Sequence, residues 1–369
     1  MSDHSDKLER RLQQHRSSKD RAALLEARVK EHRSDRASQS ERQKLLEDEV
    51  DDGTSRLYWN FVEDTPEAAS RWDDIGALEL LVEKKVTPAI AFSTGVISVD
   101  LNLGGGVPAG LTEVYGEESA GKTTLLVEMI QSAQGQGLET ALCPSEFFDR
   151  PYFESLGVDT SRLLLIRGRG EDVLEEAGRF ICQNRKRALF IDSATGLRPD
   201  EDQFDNWRRM IGSWIVAVQP RITTDSAVVM ANQVRARKSV NPSKMFAGGT
   251  DSSAVRIAGM FDCRIALSRD SVTEVAYDLV IDIVANTLRI PSRVLTVPVV
   301  KGKGIDVWRD LVRVAAKVGV LEHHGTWYYY EKTTVAQGEE AVAQLFEANQ
   351  EAGKIILEDT LRVLRGEGA

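Results

Sequence analysis

The sequence predicts an α/β protein built on a mostly parallel, doubly wound sheet. Three observations carry that prediction. Short apolar runs alternate with helix-period stretches between about residues 90 and 300. One strand-to-helix junction is a loop bounded by Gly116 and Gly121. Several apolar runs end in a polar or acidic residue, where open α/β sheets place their ligands.

The elements follow in chain order. Residues 1–50 are dense in Arg, Lys, Glu, Asp and Gln, with few aliphatics. Opposite charges three or four apart support a helix over residues 7–33. Charges interrupt its heptads, so no coiled coil is established. Two readings stay open for this extension: a solvated helical or partly disordered segment, and an arm for a protein partner or DNA. Asp51, Asp52 and Gly53 mark a break, and Trp59, Phe61 and Trp72 follow among acids.

Helical spacing over 75–85 leads into the core. Strands are predicted at 111–115, 140–143, 163–166, 188–192, 227–232, 263–268 and 278–285, the last joined by links short enough for antiparallel pairing. After Gly302 and Gly304, helices are predicted over 307–318, 338–348 and 352–365, with His323-His324 in a solvated turn. The organisation is an N-terminal extension over 1–74, an α/β core over 75–300 and a small α-rich C-terminal domain over 301–369.

Composition removes several classes. A net charge of −10 argues against a generally basic nucleic-acid coat, though not against a local basic site. No run of 18 apolar residues is present, so no membrane span is expected. The charged start from Asp3 lacks a secretory apolar core, which points to the cytoplasm. Cys143, Cys182 and Cys263 each sit in an apolar run and read as reduced core residues.

The chemistry begins at residues 116–123, Gly-Glu-Glu-Ser-Ala-Gly-Lys-Thr, a full match to G-x-x-x-x-G-K-[ST]. Gly116 and Gly121 permit turns that a β-carbon blocks. The N–H groups of Glu117, Glu118, Ser119, Ala120 and the residues after them can then converge on phosphates at a helix N-terminus. Lys122 reaches the β/γ-phosphates, Thr123 offers a hydroxyl to Mg²⁺, and Thr124 continues into the helix.

Further strand ends fit the same chemistry. Residues 187–192 end in Asp192, placed to hold Mg²⁺ directly or through water. Residues 140–146 end in Glu146, read either as the group that polarises an attacking water or as a solvated loop acid. Residues 228–233 end in Gln233, able to sense a γ-phosphate and lead into the next loop. That loop carries Arg235, Arg237, Lys238 and Lys244, no acids through residue 249, and Met245, Phe246, Gly248 and Gly249. Cations suit phosphates, and Met245 and Phe246 suit stacking on bases. A mobile surface loop is the other reading.

In this order, these pieces resemble the RecA family of recombinases. The resemblance spans roughly residues 75–350. It includes residues 93–100, Ser-Thr-Gly-Val-Ile-Ser-Val-Asp, the glycines at 104–106, Leu156-Gly-Val-Asp159, Asn232-Gln233-Val-Arg235, Gly302-Lys-Gly-Ile-Asp306 and Gly325-Thr-Trp-Tyr328. It implies a P-loop NTPase core, with Glu146 as catalytic glutamate and Pro151 and Phe153 against the nucleotide base. Asp192-Ser193 is similar to the second Walker motif. Gln233 matches the sensor opening the second DNA-binding loop.

The implied activity is ATP-dependent, Mg²⁺-dependent recombination. ATP hydrolysis is coupled to DNA binding, with filaments on single-stranded DNA, and pairing and strand exchange with double-stranded DNA. Departures are specific. The first DNA-binding loop falls on residues 198–206, rich in acids. Ala285 and Thr287 stand where the bacterial proteins carry lysines that reach a neighbour's ATP, with Arg289 nearby as a substitute. No acidic tail is expected after Arg365. These mark a divergent member of bacterial or phage type. Two alternatives stay open: an accessory ATP-binding protein lacking strand exchange, and a ring-shaped helicase motor with Arg264 or Arg289 as its finger.

Overall fold

The computed structural model describes residues 89–145, 148–183, 185–197, 204–233, 257, 259–286 and 294–366. They divide into two compact units, one through Val307 and one from Trp308. The charged extension 1–74 and the helix expected at 75–85 lie outside the described residues.

The first unit opens with β1 (Ile90–Phe92), α1 (Ile97–Asn102) and β2 (Val107–Pro108), then β3 (Gly110–Gly116) and α2 (Lys122–Gly135). There follow β4 (Glu139–Pro144), α3 (Arg150–Ser155), β5 (Leu163–Leu165), α4 (Gly170–Ile181), β6 (Arg187–Asp192), α5 (Phe204–Val218) and β7 (Ala227–Gln233). The unit closes with β8 (Cys263–Asp270), β9 (Ala276–Asn286), β10 (Val294–Val300) and β11 (Gly304–Ile305). The main sheet runs β11-β10-β9-β8-β3-β7-β6-β4-β5. From β8 to β5 every pairing is parallel; β8, β9, β10 and β11 pair antiparallel.

The central strands are unbroken apolar runs because both faces are covered. Along β6, Ala188 and Phe190 face one core with Val127 and Ile130 of α2. Leu189 and Ile191 face the other, with Leu174 of α4 and Ile211 and Trp214 of α5. Each fully buried Leu, Ile or Phe contributes about 1.5–3 kcal/mol. The indole N–H of Trp214 donates to Leu174 O at 2.6 Å, fixing α5 on α4.

All seven expected strands are present; β1, β2 and β11 are short additions, and β10 is a longer one. Pro298 hides that strand in the sequence, since proline demotes a run. In the fold its carbonyl still accepts from Asp306 N–H at 2.9 Å. Cys143 and Cys263 are buried, and burial pushes each thiol up to about 12. Cys182, expected in the core, is only partly buried because it caps the C-terminus of α4.

The second unit holds most of α6 (Val307–Lys317), then β12 (Glu322–His324), β13 (Trp327–Tyr330), β14 (Thr333–Gln337), α7 (Glu339–Ala348) and α8 (Gln350–Leu364). The helices fall where expected. The three-stranded meander between them corrects the reading of His323-His324 as a solvated turn. His323 pairs with Tyr328 and His324 with Trp327, although both histidines stay exposed. The aromatic run Trp327–Tyr330 favours a strand, and the chain reverses at Gly325-Thr326 to pair it with β12. Tyr330 O–H donates to Asp359 of α8 at 2.5 Å, joining sheet to helix. Among the described residues no helix is long and apolar enough to cross a membrane.

Glu128 of α2 is largely buried, and burial alone holds its carboxyl at about 7. The folded pKa exceeds the unfolded one, so the folded state binds the extra proton between about pH 4.5 and 7. Stability from this group is full below that window and is lost as pH rises through it. Glu128→Gln is therefore expected to raise the thermal midpoint at pH 8 and leave it nearly unchanged at pH 4.5. Parallel melts of both proteins across that range check the sign.

Candidate functional site

β3 lies mid-sheet between β7 and β8 and stops at Gly116, which sits level with Gln233 of β7 and Leu267 of β8. A β-carbon on Gly116 would lie 2.5 Å from Leu267 O, and one on Gly121 2.8 Å from Leu279 Cδ1. Gly121 also has φ +101° and Ser119 φ +59°, so the chain turns through left-handed conformations. No side chain caps α2. Its first internal bond is Leu125 N–H to Gly121 O at 3.0 Å. The N–H groups of Lys122, Thr123 and Thr124 thus have no partner within the helix, which makes an anion-accepting terminus.

Lys122 is buried, and its Nζ donates to Gly116 O at 3.1 Å and Glu117 O at 2.7 Å. The ammonium therefore braces the loop that it charges. Thr123 Oγ1 donates to Asp192 Oδ2 at 2.7 Å. This bond passes from the loop after β3 to the end of β6, across the end of β7.

β4 is tied to the same point. Pro144 sits level with Asp192, Ser145 N–H donates to Asp192 O at 2.8 Å, and Ser193 N–H donates to Ser145 Oγ at 2.7 Å. Trp207 Nε1 donates to Ala194 O at 2.7 Å and holds the chain just beyond Asp192.

These ends enclose a cavity of about 320 Å³. Residues 118–124, Asp192, Ser193 and Gln233 form its polar wall; Leu142, Pro144, Phe148 and Phe153 form an apolar end. Phe148 and Phe153 pack with ring centroids 4.7 Å apart and planes tilted by 57°. The α3 turn carrying Phe153 is capped by Asp149, whose carboxylate accepts from Tyr152 N–H at 3.1 Å.

The residues present fit a Mg²⁺–triphosphate. Thr123 and Asp192 offer hydroxyl and carboxylate oxygen, and Mg²⁺ takes few protein ligands, drawing the rest from water and phosphate. Among the described residues no cluster of three or more His, Cys, Asp or Glu could hold a metal independently.

Of the expected site residues, Glu118, Ser119, Ala120, Gly121, Lys122, Thr123, Thr124, Phe153, Asp192 and Gln233 line this one cavity. Gly116 and Glu117 brace it through their carbonyls. Glu146, Arg235, Arg237, Lys238, Lys244, Met245, Phe246, Gly248 and Gly249 lie outside the described residues, as do Thr287, Arg289 and residues 198–203. Sequence reasoning missed Ser145, Phe148 and Arg269. The aromatic pair Phe147-Phe148 after a strand end was a usable signal for Phe148. Arg269 had none, because the expected strand ended at 268.

Behind Gln233 lies a buried polar group. Glu113 of β3 is fully buried and accepts from Asn232 Nδ2 at 2.9 Å and Arg264 Nε at 2.7 Å. Arg264 also covers the Tyr115 ring at 4.6 Å. Burial, the larger influence, raises the Tyr115 phenol; Arg264 opposes it. Arg264 is thus engaged inside the sheet.

A glycine-bounded loop joining a central parallel strand to a helix, with the Asp192 strand end hydrogen-bonded to its threonine, defines a P-loop nucleoside-triphosphate-binding protein. The RecA N-terminal domain model matches residues 71–306, and the RecA C-terminal domain model residues 309–363. The chain belongs to the RecA family. It is 30% identical to Protein RecA of Paramagnetospirillum magneticum over 282 residues, covering 72% of this chain and 77% of that protein. It is 29% identical to Protein RecA of Nautilia profundicola over 301 residues (76% and 85%). To Protein RecA of Ureaplasma parvum serovar 3 it is 27% identical over 293 residues (75% and 87%).

Glu113→Ala would strand the Arg264 cation and leave Asn232 without its acceptor. A loss of about 3–5 kcal/mol is expected for breaking one side of such a pair. Denaturant unfolding of the variant, followed by tryptophan fluorescence, measures it.

Proposed function

We propose that this chain is an ATP-dependent recombinase that assembles on single-stranded DNA and promotes pairing and strand exchange with double-stranded DNA. The observation that carries the reading is the position of Gln233. It is a wall of the triphosphate cavity, and it is the last residue of β7 before the basic segment 234–249. One side chain therefore adjoins both the nucleotide and the start of a DNA-binding loop. Family membership supports the same reading.

In this scheme residues 116–124 hold the triphosphate. Thr123 and Asp192 hold Mg²⁺, which when bound offsets phosphate charge. Lys122 binds the β/γ-phosphates, and Phe153 with Phe148 packs against the base. Glu146 follows Ser145, which is bonded to both Asp192 and Ser193, and takes the proton from the attacking water. Arg235, Arg237, Lys238 and Lys244 contact DNA phosphates, while Met245, Phe246, Gly248 and Gly249 let the loop approach the bases. Binding of this kind tolerates any sequence and weakens with salt. The protein acts in the cytoplasm and self-associates, with residues 1–74 available to a protein partner.

A second reading, an accessory nucleotide-binding protein without strand exchange, is favoured by one observation: Asp200, Glu201, Asp202 and Asp205 fall in the sequence stretch 198–206 that matches the first DNA-binding loop, where acids repel DNA. Arg264, engaged with Glu113, does not support a ring motor that uses it as a finger.

Lys122→Ala is expected to abolish nucleotide-dependent DNA binding; ATP-stimulated assembly as strong as wild type would sink the assignment. Electron microscopy with single-stranded DNA and an ATP analogue is expected to show regular helical filaments. Their absence, with nucleotide binding intact, would favour the accessory reading.

A further inference from the structure

Arg269 stands at the end of β8, two residues past the last pairing with β3. Its guanidinium lies over the Tyr277 ring at 4.2 Å and lines the same cavity as the phosphate loop. Tyr277 is buried, and its hydroxyl is 3.4 Å from where a Gly121 β-carbon would be. The ring thus seats the cation beside the second glycine of the loop.

The surroundings leave that cation uncommitted. Among the described residues the Arg269 side chain makes no hydrogen bond and no ion pair; the ring contact is what holds it. Five N–H donors in a planar fork remain for a ligand. Lys122, the other cation lining the cavity, already donates to Gly116 O and Glu117 O. The same walls carry Glu118 and Asp192. Beside those acids, a further cation on the wall lowers the repulsion a bound triphosphate meets. An aromatic face under an arginine orients the fork before ligand arrives, which reduces the ordering lost on binding.

We propose that Arg269 is a phosphate ligand of the bound nucleotide, a second cation provided by the same subunit and presented from the Tyr277 ring. The inference rests on the triphosphate-binding reading above and adds a contact that the loop motif does not contain.

The test titrates the full chain with Mg²⁺ and a fluorescent ATP analogue, comparing wild type with Lys122→Ala, Arg269→Ala, Arg269→Lys and Arg269→Glu. Thermal midpoints are recorded alongside, and this exposed position is expected to shift them by no more than about 2 °C. Arg269→Ala is expected to raise Kd about tenfold or more, the scale of a lost charge-assisted hydrogen bond. Arg269→Lys should fall between wild type and Ala, keeping charge without the fork, and Arg269→Glu should exceed Ala. Wild-type binding that Lys122→Ala removes but Arg269→Ala leaves within twofold overturns this inference alone. Equal losses in the Ala and Glu variants also overturn it, because charge would then be irrelevant. A wild-type chain that does not bind the analogue overturns both readings.

Discussion

The site depends on two places that have no room for a β-carbon. At Gly116 the obstacle is a neighbouring backbone carbonyl, which cannot step aside; at Gly121 it is Leu279, and the left-handed φ excludes a side chain regardless. With both positions glycine, the chain doubles back within five residues and starts α2 with three N–H groups pointing off its end. Every other polar feature of the cavity is arranged around that terminus. Lys122 folds back to brace the turn that created it.

Strand order converts this local turn into a site. The cavity collects the carboxyl ends of β8, β3, β7, β6 and β4, five consecutive strands of the sheet. Arg269, the loop, Gln233, Asp192 and Pro144 follow one another in that order. A parallel sheet makes this cheap, because all those strands end on the same side and their connecting helices lie on the faces. The Thr123–Asp192 bond then spans the end of β7, so Gln233 sits between the glycine loop and the Asp192 carboxylate.

Much of this was legible beforehand, for identifiable reasons. Buried central strands are continuous apolar runs, and β6 or β7 could hardly be read otherwise. The loop was legible because its glycines are dictated by sterics, and Asp192 because its acid-ended strand follows that loop; alone, an Asp ending a buried strand is a weak signal. The misses have physical causes too. β10 was masked by Pro298, whose missing N–H matters only where a ladder needs it. The meander at 322–337 was overlooked because two histidines and a run of tyrosines lack the aliphatic period that marks a strand. Arg269 was invisible because its significance lies in Tyr277 and Gly121, residues distant along the chain that pattern reading does not bring together.

The buried Glu113 group bears on how a nucleotide signal could travel. Replacing a buried ion pair by apolar groups is often neutral or stabilising, so stability alone is a poor explanation for Glu113 at the centre of the sheet. Its position offers another. Glu113 ties β3 to Asn232 on one side and to Arg264 on the other, just below the level of Gly116 and Gln233. Asn232 Oδ1 is buried without a hydrogen-bond partner among the described residues. Hydrogen bonds have narrow distance and angle limits, whereas packed aliphatics slide. A polar tie at that level therefore adds a directional constraint to the β3–β7 ladder just below the glycine loop. A displacement at Gln233 would then meet resistance back along β7.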